Sequence, residues 1–292
     1  MEFPDLLDNF LRYVKIDTQS DEESKSFPST KKQFDLANLL KKELEKMKLE
    51  DVKMNKWGYV LATLKSNQDK KVPTIALIAH IDTSPDVSGK NVSPRIHKNY
   101  NGQDIILSKE DNIILKTKEN PYLKKQIGKT IITSDGTTLL GADNKAGIAE
   151  IMSAVNFLRK NPEIPRPNIR ILITPDEEVG RGTEKIKTND IEADYGYTID
   201  GERLGEIEDE TFCADSVEIT ISGVNVHPGY AKNKLVNSIK IAAEIIEQFP
   251  KLSMSPETTE KREGYIHPHH ISGGVEKTII KILIRDFQEK GL

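Results

Sequence analysis

Thr74-Ile75-Ala76-Leu77-Ile78-Ala79-His80-Ile81-Asp82 is a short apolar run that ends in an imidazole and, two residues on, a carboxylate. A run of this length bounded by polar residues reads as a buried strand. Side chains alternate across a strand, so His80 and Asp82 point to one face. A histidine on a metal usually donates its other ring N–H to a carboxylate, which fixes its tautomer. His-x-Asp supplies both partners within three residues, although the pair alone is equally compatible with a histidine that caps a loop. The segments around it extend the pattern. Residues 59–64, 168–174 and 195–199 read as further strands, and residues 5–15, 30–48 and 145–159 carry apolar side chains at helical spacing. Ser29 and Thr30 stand where the second helix should be capped, and Pro162, Pro165 and Pro167 close the third. Strands alternating with helices predict an α/β layer, a mixed, largely parallel sheet flanked by helices. The polar segment 84–130, with Pro85, Pro94 and Pro121, predicts an excursion of short strands and loops over the sheet edge.

After about residue 208 the pattern changes. Residues 216–222 alternate as a half-exposed strand, 235–249 form an amphipathic helix, and 265–272 and 277–286 read as two more strands. This β-α-β-β order predicts a second, smaller α+β domain over 209–292, with 1–208 forming the first. The composition is ordinary: 36% hydrophobic, 30% charged, with 42 basic and 46 acidic residues giving a net charge of −4. That sign and size argue against a nucleic-acid or anionic-membrane binder. Cys213 is the only cysteine, so no intrachain disulfide and no thiolate zinc site is expected. No stretch approaches the ~18 apolar residues of a membrane span. No basic region followed by an apolar one opens the chain, so a cytoplasmic location is the expectation.

Four acidic or histidine sites stand just beyond apolar runs. They are His80 with Asp82, Asp143 at the entry to the 145–159 helix, Glu177-Glu178 after strand 168–174, and Asp200 after strand 195–199. Open α/β sheets place their sites beyond the carboxyl ends of the strands. Each position has a plainer reading: Asp143 as a helix cap, Glu177-Glu178 as a solvated pair, Asp200-Gly201 as a turn. Their conjunction at successive strand ends points to a metal centre instead. Zinc accepts histidine nitrogen and carboxylate oxygen. Two ions ~3.5–4 Å apart can share a carboxylate, and a water bound there falls in pKa toward ~7. One of two adjacent glutamates can then ligate while its neighbour serves as general base. That is equipment for amide hydrolysis.

The residues resemble the peptidase T family, tripeptide aminopeptidases among the co-catalytic zinc peptidases. The matching segments are Ala79-His80-Ile81-Asp82-Thr83-Ser84-Pro85, Gly141-Ala142-Asp143-Asn144-Lys145-Ala146-Gly147, Thr174-Pro175-Asp176-Glu177-Glu178-Val179-Gly180-Arg181-Gly182, Tyr197-Thr198-Ile199-Asp200-Gly201 and Val226-His227-Pro228-Gly229-Tyr230-Ala231-Lys232. The resemblance runs through the whole chain. It implies two zinc ions, one held by His80, Asp143 and Asp200, the other by Asp143 and Glu178. It implies Glu177 as general base, Asp82 as the partner of His80, and His227 as the oxyanion donor, reaching in from the partner subunit of a homodimer built through a lid domain. Arg285, in Ile284-Arg285-Asp286-Phe287, is a candidate for the carboxylate of a short peptide substrate; a charged residue at a strand end is the equal alternative. The family's second zinc has a further histidine from a later part of the catalytic domain, and the chain stops before it; a fragment is therefore expected, its own activity open. His267, His269 and His270 fall in the expected lid and are not read as substitutes. The rival readings are another amidohydrolase of the wider family, such as a dipeptidase or N-deacylase, and a catalytically silent dimerising module. No phosphate-loop, dinucleotide or Ser-nucleophile motif is present.

Overall fold

The structure is a computed structural model that describes residues 3–201 and 203–292. The chain divides into two compact units, Met1–Leu204 and Gly205–Leu292.

The first unit opens with helix α1 (Leu6–Tyr13) and helix α2 (Gln33–Lys46), then the hairpin strands β1 (Glu50–Met54) and β2 (Val60–Leu64), and β3 (Ile75–His80). Short strands β4 (Arg95–His97), β5 (Ile105–Ser108), β6 (Ile113–Leu115) and β7 (Ile131–Thr133) make up the excursion, pairing as β4 with β7 and β5 with β6. Helix α3 (Ala142–Lys160), strand β8 (Ile169–Thr174), the single turn α4 (Thr188–Ile191) and strand β9 (Tyr195–Thr198) follow. The main sheet has the order β1-β2-β8-β3-β9. The pairs β3–β8 and β3–β9 are parallel, whereas β1–β2 and β2–β8 are antiparallel, so the sheet is mixed. The β1–β2 pair is antiparallel because it is a hairpin, whose turn uses Gly58 at φ 89°.

Every residue of β2 and β8 is buried. Continuous apolar runs are what a strand covered on both faces requires. On one face Phe10, Leu36, Leu40, Ile148, Met152 and Val155 of the helices pack against Val60, Ala62, Ile171 and Ile173. On the other, Tyr59, Leu61 and Leu172 lie under Phe27, Trp57 and Ile191. Each fully buried Leu, Ile, Val or Met among them stabilises the fold by about 1.5–3 kcal/mol on leaving water.

One local expectation is corrected, and one strand is new. Ser29 and Thr30 do not cap α2: its first residue follows Lys32, with no side-chain cap, and Thr30 Oγ1 donates instead to Gln19 O at 2.7 Å. β1 has too few apolar residues to read as a strand, and it forms because it completes a hairpin.

The second unit is a three-stranded antiparallel sheet, β10 (Cys213–Ser222), β11 (Tyr265–Gly273) and β12 (Lys277–Asp286), in the order β10-β12-β11, with helix α5 (Ser238–Glu247) on one face. Ile221, Ile280, Ile282 and Ala242 are its buried centre. Asn237 caps α5, accepting from Ile239 N at 2.9 Å. Among the described residues no helix is long and apolar enough to cross a membrane.

Candidate metal centre

β3, β8 and β9 run in one direction, so their carboxyl ends share one rim, and the acidic residues just beyond them collect there. His80 is the last residue of β3 and is 2% exposed. Its two ring nitrogens face different partners. Nδ1 lies 3.1 Å from Asp82 O and 3.3 Å from Asp82 Oδ1, which holds the proton on that side. Nε2 looks toward the rim, 2.9 Å from Asp143 Oδ1, 3.6 Å from Asp200 Oδ2 and 3.7 Å from Glu177 Oε2.

Asp82 is fully buried and carries a second duty that the sequence did not signal. Its Oδ1 accepts from Glu177 N and its Oδ2 from Glu178 N, both at 3.0 Å. One carboxylate therefore orients the imidazole and clamps the turn that bears both glutamates. Nothing in a His-x-Asp spacing could reveal a bond to backbone 95 residues away.

Asp143 sits at a break in α3. Gly141 precedes the helix at φ 76°, and Asp143 and Asn144 leave helical geometry (φ/ψ −80°/109° and −118°/34°) before the regular turns begin. The Asp143–Asn144 peptide bond is cis. The aspartate thus stands out from the rim, 71% exposed, rather than capping the helix. Gly147, one turn on, lies against the end of β9: a Cβ there would come 2.0 Å from Ile199 O and 2.3 Å from Asn144 Oδ1. Only glycine admits that approach, and it brings Asp200 to the same rim. A pocket of about 410 Å³ adjoins the site, lined by Asp143, Asn144, Gly147, Glu150, Ile199 and Asp200.

The ligand atoms of His80, Asp143 and Glu178 lie within 4.8 Å of one another, and so do those of His80, Glu177 and Asp200. Every acidic residue expected at the rim is therefore there. The grouping differs from the expected one: His80 and Asp143 fall together with Glu178, and Glu177 stands at ligand distance in the set with His80 and Asp200 where Asp143 was expected. The histidines at 267, 269 and 270 lie on β11 in the second unit, and among the described residues the sets with metal-binding spacing are the two around His80.

Crowded acids next to one imidazole shift its protonation. Burial pushes His80 down, but the hydrogen bonds to Asp143 and Asp82 and the charges of Asp82 and Asp200 outweigh it and raise its pKa to about 10. Desolvation, then the charge of Asp143, raises Glu178 to about 7, the His80 charge opposing. Asp200 rises to about 6 through desolvation and the charge of Asp143, again against His80. Asp143 moves down, because it accepts from His80, with desolvation opposing. A rim of anions that resists ionisation is one that a cation would relieve. Imidazole nitrogen and carboxylate oxygen without sulfur fit a zinc-class ion.

The remaining predicted residues lie in the second unit. His227 is exposed at the start of a short 3₁₀ turn, and its Nδ1 accepts from Gly229 N at 3.1 Å. The Arg285 guanidinium lies 4.3 Å over the Phe212 ring, and its Nε has no hydrogen-bond partner.

Comparison with known proteins agrees with this architecture. Residues 210–289 match the peptidase dimerisation domain of the M20 peptidases. Peptidase T of Halothermothrix orenii is 52% identical over 97% of this chain and 69% of its own length. Among solved structures, aminopeptidase PepT from Bacillus cereus superimposes with a TM-score of 0.66 at 25% identity, covering 99% of this chain and 68% of that one. A tripeptidase from Staphylococcus aureus gives 0.65 at 25% identity, covering 99% and 68%. Fold and site together define an M20-type peptidase, a metal-dependent class. Within that class, the chain belongs to the peptidase T family.

Proposed function

We propose that the chain is a zinc-dependent aminopeptidase that releases the N-terminal residue of tripeptides, acting in the cytoplasm as a homodimer paired through residues 209–292. The observation that carries this is the gathering of Asp143, Glu177 and Asp200 within 3.7 Å of one buried imidazole nitrogen, with Glu178 completing a second set. The names of the family's members supply the substrate class, and the dimerisation-domain match supports the pairing.

His80, Asp143 and Asp200 would hold one zinc ion, and Asp143 with Glu178 a second. Bound there, such ions polarise a scissile carbonyl and acidify water. Asp82 keeps Nε2 of His80 turned to the rim by holding Nδ1. Glu177 is 54% exposed, so its carboxylate can reach solvent. It takes a proton from the attacking water and delivers it to the leaving amine. His227 is assigned to the oxyanion from the partner subunit, where one such donor is worth ~2.7–4 kcal/mol. Arg285 is assigned to the peptide carboxylate; its stacking on Phe212 would orient the guanidinium.

The decisive experiment compares Glu177→Ala with the unsubstituted protein on tripeptides, dipeptides and acylated amino acids. Zinc content is expected to persist while tripeptide turnover falls ~10²–10⁴-fold. Undiminished turnover would remove Glu177 from the chemistry, and preference for acylated amino acids would replace the aminopeptidase reading with a deacylase.

A further inference from the structure

Asp176, the residue before the glutamate pair, is fully buried and held at φ 56°. A buried carboxylate is costly unless its oxygens are satisfied. Three donors meet this one: Ser29 N at 2.6 Å, Ser29 Oγ at 2.5 Å and Gln33 Nε2 at 2.6 Å. Gln33 also returns a bond, its Oε1 accepting from Asp176 N at 3.2 Å. Ser29 and Gln33 are themselves buried, at 5% and 0% exposure. The same segment grips the other strand end. Ser20 N and Oγ both donate to Thr83 O at 3.0 Å, and Thr83 N donates to Thr18 O at 3.3 Å. Residues 18–33 thus form a strap that fastens the residue after Asp82 and the residue before Glu177. Arg181 closes the far side of the turn: its N donates to Asp176 O at 2.8 Å and its Nη1 to Ser26 O at 3.0 Å.

We propose that Asp176, held by Ser29 and Gln33, is a positioning residue that sets where the Glu177 and Glu178 carboxylates stand, so that the strap at 18–33 is part of the metal site. The proposal rests on the reading of Glu178 as a ligand and Glu177 as the base. The physical ground is directional. From β8 the chain must reverse and present two consecutive carboxylates at the rim. A non-glycine residue at positive φ does not hold that bend by its own preference. On one side of the bend Asp82 takes the amides of Glu177 and Glu178; on the other Ser29 and Gln33 take the Asp176 carboxylate. An apolar residue at 176 would fill the space without fixing the rotation of the turn, and supporting hydrogen bonds of this kind are worth ~10–100-fold in metal affinity where measured.

The test exchanges donors for acceptors in the full chain. In Asp176→Asn, either orientation of the Gln33 amide leaves two donors facing each other. Combining Asp176→Asn with Gln33→Glu restores an acceptor opposite each donor. Two readouts are followed: hydrogen exchange of the Glu177 and Glu178 amides in metal-free protein, and Co²⁺ binding with its visible absorption. Asp176→Asn is expected to speed exchange of these amides and weaken Co²⁺ binding, each ~10-fold, and the paired substitution to recover most of both. Ser29→Ala, which removes one donor, is expected to shift both in the same direction by less, and carries the test if Asp176→Asn does not fold. Glu178→Ala is the reference. If it weakens Co²⁺ binding while the Asp176 and Ser29 variants leave exchange and absorption unchanged, the positioning role is wrong and the metal site stands. The role also fails if the paired substitution folds without recovery. If Glu178→Ala leaves Co²⁺ binding intact, the ligand reading fails, and amide exchange alone decides the strap.

Discussion

His80 in the metal-free site is a cation among anions, and a metal must displace its proton. With its pKa raised to about 10, the imidazole stays protonated through neutral pH. Divalent-ion affinity should therefore rise by about tenfold per pH unit between 7 and 8 from this group alone. Below 7 the slope should steepen, because Glu178 holds a second proton up to about pH 7. Folding is linked in the same sense. A folded-state pKa raised above its unfolded value contributes stability that is complete below the unfolded pKa and lost as pH climbs through the folded one. For Asp200 and Glu178 that loss runs up to about 6 and 7, and for His80 up to about 10. Asp143 is shifted the other way, so its contribution is lost only in acid, outside this window. The gain in Tm on adding Zn²⁺ should accordingly be larger at pH 8 than at pH 6, measured by scanning calorimetry; a flat or reversed trend would mean that neither His80 nor Glu178 carries a proton the metal must displace. Asp82→Ala removes both the imidazole's partner and the acceptor of two amides, so it should weaken zinc binding ~10–100-fold by calorimetric titration, with the secondary structure retained.

Elements place these residues, and at Gly147 helix α3 lies close against the end of β9. In Gly147→Ala the new methyl would overlap Ile199 O and Asn144 Oδ1, both under 2.4 Å. Backbone cannot yield there without moving Asp200. A loss of ~1–3 kcal/mol in stability and a weakened metal site are expected together, read from denaturant midpoints and zinc titration. If stability falls while zinc binding does not, the contact is structural only. Much of this level could be read before any coordinates. β3 and β8 announced themselves as apolar runs followed by polar side chains, and Glu177, Glu178 and Asp200 stand where a shared strand direction puts them. Three things stayed hidden, each for a physical reason. The break at Asp143–Asn144 comes just before the helical pattern over 145–159 begins, so apolar periodicity has nothing to register there. Ser29 before a helix has the same chemistry as a cap, so only the fold discloses that its hydroxyl goes to Asp176. The edge strand β1, which completes the hairpin with β2, is mostly exposed and leaves no hydrophobic signature.

At the scale of the whole molecule, the two units are joined through a stretch whose described residues are solvent-exposed. Leu204 and Ile207 are 95% and 87% exposed, and Phe212 is 48% exposed. Exposed backbone with large apolar side chains is an open target for proteases. Limited chymotrypsin treatment should first cut between 204 and 212. The larger product should keep the zinc, since every proposed ligand lies within Met1–Leu204, as metal analysis after size exclusion would check. Loss of the metal on cleavage would mean that the second unit helps to hold it.

The rim that collects these carboxylates has no sulfur to discriminate among ions. Nitrogen and oxygen donors rank first-row cations by the general series that peaks at copper, not by biological use. Occupancy will therefore follow supply: trace nickel from an affinity column or copper from a buffer stock can displace the intended ion, and preparations from different media will differ in specific activity until each is stripped and reloaded with a single cation.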